Sequence, residues 1–232
     1  MSFKTQDFFE MDRLNKIVHA AIFEGVTHVW EVLPKIKRYL VDYFKKNPPQ
    51  ILGEVDSFAK IGPLVHIGKG TVVEAGAVIK GPAWIGERCE IRSGAYIRDQ
   101  VIVGDESIVG NSSELKNSLL VHRVQVPHFN YVGDSILGTG SHLGAGVILS
   151  NFKLTGEGIV IRDQQQKIET GLRKFGAIIG DHVEIGCHAV LNPGSLIGPR
   201  SMIYSGVQWR GILGPDQIVK ATVAYCITAK NK

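Results

Sequence analysis

The three cysteines, Cys89, Cys187 and Cys226, are an odd and scattered set. They offer neither metal-type spacing nor a disulfide framework, and they fit a reducing compartment. No run of about 18 apolar residues exists, so no helical membrane span is expected. The N-terminus carries Asp7, Glu10 and Asp12 where a secretory leader would have cations and an apolar stretch, so no signal peptide is expected. Charge of either sign is not in excess: 26 Lys and Arg against 22 Asp and Glu leave +4 over 232 residues. Basic runs and cation patches interleaved with aromatics are also missing, which argues against nucleic acid. The expected setting is cytoplasmic, with no membrane and no nucleic-acid partner.

What the chain does have is a six-residue period. Counting in sixes from Val55 gives Val55, Ile61, Ile67, Val73, Ile79, Ile85, Ile91, Ile97, Val103, Val109, Leu115 and Val121, all aliphatic. The period returns at Leu137, Leu143 and Leu149, and again at Ile179, Ile185, Leu191, Ile197 and Ile203. This is the hexapeptide pattern of a parallel β-helix. Three flat strands make one triangular coil of 18 residues, and one aliphatic per strand points inward. Coils stack at roughly 4.8 Å, the spacing of paired strands. No coil buries its apolar side alone, so stability comes from neighbours.

Three departures divide the chain. Residues 1–50 read as an α-helical hairpin packed on the prism or on a partner subunit. Leu14, Ile17, Val18, Ala21 and Ile22 have helical spacing, and Gly25 is a stop. A second helix from Thr27 carries Trp30, Leu33, Ile36, Tyr39, Leu40 and Phe44 on one stripe, with Pro34 inside it as a kink. Within the β-helix of residues 51–210 the register slips between Val132 and Leu137. A polar, glycine-flanked insertion at 152–176 breaks the period, and an insertion of that length is functional or disordered. Residues 211–232 read as a tail or cap.

Arg98 and Lys116 are 18 residues apart, hence one above the other on the prism. They are either two solvated cations or the two sides of an anion site, for which phosphate is the obvious guest. His128 carries the imidazole best matched to proton removal near neutral pH, although a lone histidine is more often structural. Gly144-Ala145-Gly146 is a small-residue stretch where a ligand can approach backbone N–H groups.

Arg98, Glu114-Leu115-Lys116, the run His128 to Asp134, Leu143-Gly144-Ala145-Gly146, Asn151 and Lys174 before Ile178-Ile179-Gly180-Asp181 together resemble one known family. They are similar to the acetyltransferase domain of the bifunctional bacterial UDP-N-acetylglucosamine biosynthetic enzyme, over roughly residues 55–210. The resemblance implies a left-handed parallel β-helix of the hexapeptide-repeat acyltransferases and a homotrimer with sites between subunits. It implies acetyl-CoA as co-substrate, an amino-sugar phosphate acceptor (glucosamine 1-phosphate) and no metal. His128 would be the general base, and Arg98 and Lys116 would hold the sugar phosphate. Tyr131, Asn151 and Lys174 would line the sugar site. Ala145 N–H would face the thioester oxygen, with Cys187 and Ser205 along coenzyme A.

The sequence departs from that pattern in places. His142 stands where the family has Asn at the sugar site, Cys187 replaces a small hydroxyl residue, and the loop between Asn151 and Lys174 is longer. The family's nucleotidyltransferase domain has no counterpart in these residues, so uridylyl transfer by this chain alone is not expected. Three other readings stay open: an acyltransferase on another amino sugar or nucleotide-sugar, a non-catalytic assembly subunit for a separate nucleotidyltransferase, and a zinc enzyme. The zinc enzyme fits least, because His122, His128 and His142 lack close-pair ligand spacing.

Overall fold

The computed structural model describes residues 2–163, 166–222 and 226–228. Short strands from successive coils pair in parallel into three sheets of nine, eight and eight strands. We call these the first, second and third faces of the prism. Val55, Val73, Ile91 and Val109 begin the inward ladder of the first face, continued by Val126, Leu143, Ile185, Ile203 and Val219. The second face contributes Ile61 through Trp209 and the third Ile67 through Leu213. These ladders form one continuous apolar core. The fold is therefore the mainly β parallel solenoid expected, consistent with the left-handed β-helix. Hydroxyls at the corners are buried but bonded: Ser118 Oγ donates to Lys116 O at 2.9 Å and Ser135 Oγ to Gly133 O at 2.8 Å. A buried hydroxyl left without a partner would cost ~1–3 kcal/mol.

Every break in the period falls on the edge between the second and third faces. There, Leu120 follows Leu115 and Leu137 follows Val132 by five positions instead of six, Ile179 follows Leu149 by thirty, and Leu213 follows Trp209 by four. The slip thus starts one coil before the sequence reading placed it. Leu120, not Val121, pairs with Val103 inside the prism, while Val121 joins a second core outside it. The pairing also continues past Trp209 through Ile212–Leu213 and Ile218–Val219, so the stretch expected to be a cap begins as a further coil.

The second core lies on the outside of the third face. Trp84, Ile102, Leu119, Ile136, Ile178, Leu196 and Ile212 form an outward ladder there. The N-terminal segment covers it with Phe3, Phe8, Leu14, Trp30, Leu33, Ile36 and Leu40. Each such side chain fully removed from water contributes roughly 1.5–3 kcal/mol, as an upper bound. The segment is not two long helices. It is one α-helix, Ile36–Lys46, preceded by 3-10 turns (Thr5–Asp7, Ala20–Phe23, Val29–Lys35) and the one-turn helix Met11–Leu14. Pro34 lies in the last 3-10 turn, as a residue without an N–H donor must at a helix start. Apolar residues 8–23 are spaced to reach a flat sheet rather than to line one helix face, and Val18 stays 53% exposed. Among the described residues no helix is long and apolar enough to cross a membrane, and no group of three side chains is arranged for a metal.

The insertion also has structure. Val160–Arg162 and Lys167–Glu169 pair as an antiparallel hairpin. Its Ile159 and Ile161 are buried in the second core, against Gly194. A Cβ on Gly194 would lie 2.7 Å from the Ile159 side chain, so glycine makes room for the hairpin to dock.

Candidate functional site

The residues singled out from sequence fall on two edges of the prism. Across the edge between the first and second faces, successive inward positions are six residues apart in every coil, from Val55–Ile61 to Ile203–Trp209. His128 ends a first-face strand at this edge. Ala145, Cys187 and Ser205 occupy the same corner on the following coils. Backbone bonds tie the column together: Gly146 N–H donates to His128 O (3.0 Å), His188 N–H to Ala145 O (2.8 Å) and Gly206 N–H to Cys187 O (2.9 Å). The corner turns by residues of left-handed φ, Phe129 (53°), Gly146 (72°), His188 (57°) and Gly206 (72°). The N–H groups of Ala145, Cys187 and Ser205 make no hydrogen bond among the described residues. These three N–H groups lie on successive coils.

His128 is exposed, and its backbone is fixed by Asn130 Oδ1, which accepts its N–H at 3.0 Å. Asn130 is itself buried and donates to Gly144 O at 2.8 Å. Its imidazole has no hydrogen bond among the described residues, so both ring nitrogens are available. Phe129 beside it is 60% exposed. His142 lies one strand away on the first face, with Nδ1 2.9 Å from Glu184 Oε2, in a groove that also contains Cys187, Tyr204 and Ser205.

Arg98, Lys116, Asn151 and Lys174 gather at the second–third edge, with Tyr131 on the face between. Lys116 Nζ lies 3.2 Å from Asp134 Oδ2. Asn117 and Asn151 donate to the same carboxylate, which is only 5% exposed. Arg98 pairs with Glu114 at 3.0 Å, and this carboxylate raises the guanidinium's pKa further. The two stacked cations are therefore each neutralised within the chain. Glu114 and Asp134 are the residues whose roles sequence reasoning missed. The signal was present: Glu114 is two residues before Lys116 on the same side of a strand, and Asp134 follows Lys116 by one coil.

Burial pushes the Tyr131 hydroxyl's pKa up, with Glu114 and Asp134 adding to it. The hydroxyl folds over Gly133, where a Cβ would lie 2.7 Å from Tyr131 Oη and 2.6 Å from Asn151 Nδ2. Lys174 is exposed, and its backbone bridges Phe152 at the base of the inserted hairpin. In one chain the His128 column and the Lys116–Asp134 cluster stand at opposite ends of the second-face strands. The structure brings together the members of each group but not the two groups.

Comparison with known proteins bears on this arrangement. The family model described as GMPPB C-terminal domain matches residues 79–171. The bifunctional protein GlmU of Methanococcus maripaludis strain C7 is 33% identical over 194 residues, covering 84% of this chain. The chain spans only 46% of that protein's length. YaiX of Escherichia coli K12, named as an acetyltransferase without a characterised activity, is 30% identical over 187 residues, 77% of this chain and 81% of its own. Among solved structures, the acetyltransferase domain of PglB from Neisseria gonorrhoeae FA1090 in complex with acetyl coenzyme A aligns over 78% of this chain and 60% of its own. That alignment has 18% identity and a TM-score of 0.31, a likeness that carries nothing about the site.

Proposed function

This chain belongs to the hexapeptide-repeat acetyltransferases related to the C-terminal domain of GlmU, and from that premise we propose that it transfers an acetyl group from acetyl-CoA to the amine of an amino-sugar phosphate, with glucosamine 1-phosphate as acceptor. The observation that carries the reading is the column of His128, Ala145, Cys187 and Ser205 on one unbroken edge. A long, thin cofactor laid along that edge meets an unpaired N–H on each of three coils. His128 stands at the end of the column where the thioester carbon would lie.

The chemistry balances at each step. An ammonium cannot attack, so His128 takes a proton as the amine nitrogen bonds to the thioester carbon. The Ala145 N–H supports the oxygen that becomes anionic. The C–S bond then breaks, and the thiolate leaves and is protonated. A positioned base contributes ~10²–10⁴-fold and an oxyanion donor ~10²–10³-fold. Holding the two reactants in place contributes further.

Arg98 and Lys116 take the acceptor's phosphate, exchanging part of their pairing with Glu114 and Asp134 for it. Tyr131, His142, Asn151 and Lys174 line the sugar. The separation of the two groups within one chain supports a homotrimer, in which a neighbour's second–third edge completes the site. The third face is covered by the chain's own N-terminal segment, which leaves the first and second faces and exposed Phe129 for subunit contacts. A separate nucleotidyltransferase is a further partner to look for by co-purification.

The test is thiol release from acetyl-CoA with glucosamine 1-phosphate, glucosamine 6-phosphate and UDP-glucosamine as parallel acceptors. Release with glucosamine 1-phosphate supports the reading. Release only with UDP-glucosamine moves the acceptor to a nucleotide-sugar. Silence with all three, in a protein that binds no coenzyme A, rejects the acetyl-transfer reading.

A further inference from the structure

The inserted hairpin does more than pack. Its strand Val160–Arg162 lies beside Pro193-Gly194 and Arg210-Gly211, and a groove runs between them. Three cations, Lys153, Arg162 and Arg210, line this groove, and among the described residues no carboxylate does. Lys153 Nζ donates to a carbonyl, Gly158 O, at 2.8 Å rather than to an acid. Neither the Arg162 nor the Arg210 guanidinium has a hydrogen bond or ion pair among the described residues. Glu169, on the facing strand, is held by Lys167 at 2.6 Å. That bond, with the fields of Arg162 and Lys153, keeps its carboxyl below the usual range. Several exposed arginines of this chain are matched with acids: Arg88 with Glu87 and Glu106, Arg123 with Glu106, Arg200 with Asp216.

Glu169 feels Arg162 and Lys153 but is bonded to Lys167, so the three lining cations keep an excess of positive charge, and an anion between them removes their remaining repulsion. Arginine suits a phosphate oxygen pair geometrically and lysine suits it as a point charge. The hairpin is not loose: Ile159 and Ile161 are 1% and 3% exposed, so the strand carrying Arg162 is anchored.

We propose that the groove between the inserted hairpin and the last coils is a phosphate-binding site, distinct from the Arg98–Lys116 pair, that takes a diphosphate or phosphomonoester on the remote part of a substrate. The register separates the two sites. Lys116 pairs with Gly133, and three further coils lead to Arg210. At ~4.8 Å per coil that puts Arg210 about 19 Å along the prism from Lys116, too far for one phosphate to touch both, although Lys153 follows Asn151 of the first cluster by two residues. Only the identity of the ligand rests on the acetyltransferase reading. With that reading, the phosphate belongs either to a nucleoside diphosphate on the acceptor or to the nucleotide end of coenzyme A.

The test is calorimetric titration of the full chain with inorganic pyrophosphate at low ionic strength, with no turnover required. Wild type is expected to bind saturably, and the Arg162→Gln/Arg210→Gln variant at least ten-fold more weakly. Arg88→Gln/Arg200→Gln, which removes the same charge elsewhere, should bind as wild type does. Displacement of pyrophosphate by UDP assigns the groove to the acceptor, and displacement by adenosine 3′,5′-bisphosphate assigns it to coenzyme A. No saturable binding, equal loss in both variants, or displacement by neither nucleotide overturns the proposal. If pyrophosphate binds but no acetyl transfer occurs, the proposed function fails while the anion site stands.

Discussion

Two edges of the same prism behave oppositely. The first–second edge keeps its six-residue spacing in every coil, while the second–third edge loses one residue twice, gains a hairpin, and then loses two. The unbroken edge stacks equivalent backbone groups at one strand spacing, which suits a ligand lying along the axis. The broken edge cannot present a repeating surface. It presents side chains instead: the Asp134 hub, Asn151, the Phe152–Lys174 bridge and the cationic groove. Regularity here makes a rail, and irregularity makes a pocket.

The comparison can be broken at either edge. The largest effect is expected at His128. His128→Ala should lower acetyl transfer by ~10²–10⁴-fold, with an unchanged melting temperature because the side chain is exposed. Unaltered turnover would remove the rail from the chemistry. Next is Asp134→Ala, which strips a buried carboxylate from Lys116, Asn117 and Asn151. Removing one partner of a buried pair costs ~3–5 kcal/mol. Lys116 is a fifth exposed, so the lower end is expected in denaturant unfolding, and a loss under 1 kcal/mol would deny the hub. Gly133→Ala should cost about 1–3 kcal/mol by overpacking against Tyr131 and Asn151. It should also raise the acceptor KM, and an unchanged KM would detach those residues from the acceptor.

The effect expected to be smallest on activity concerns pH and lies away from both edges. His19 is buried against Tyr39, Tyr43 and Trp84. Burial, with His66 nearby, lowers its pKa from 6.5 to about 3. Its folded pKa is depressed, so its contribution is complete above pH 6.5. It declines as the unfolded chain takes a proton the folded one refuses, and the decline ends near pH 3. Buried Asp181, whose pKa is raised by desolvation, works in the opposite direction, since the folded chain takes its proton first. His19→Phe should flatten the stability profile between pH 6.5 and pH 4, and an identical slope would show that the ring is not buried as a neutral group.

The ladders were legible because every coil repeats the same inward requirement, and the unbroken edge was legible with them. The site was half legible. Arg98 and Lys116 could be stacked by counting, and Glu114 and Asp134 lie within reach of the same count, but spacing alone does not say which outward side chains bond to one another. Leu120 and Val121 are both aliphatic, so counting in sixes landed on the wrong one. At the N-terminus, helical spacing was a poor guide because the segment's partner is a flat sheet. The hairpin at 152–176 has only one buried side per strand and no repeat to announce it.

The central claim is that the two edges bind different substrates. Steady-state kinetics of Arg98→Gln and Cys187→Trp, varying glucosamine 1-phosphate and acetyl-CoA in turn, tests it most directly. The account predicts that Arg98→Gln raises the acceptor KM about ten-fold and leaves that of acetyl-CoA unchanged, while Cys187→Trp does the reverse. Both variants shifting the same KM would contradict it.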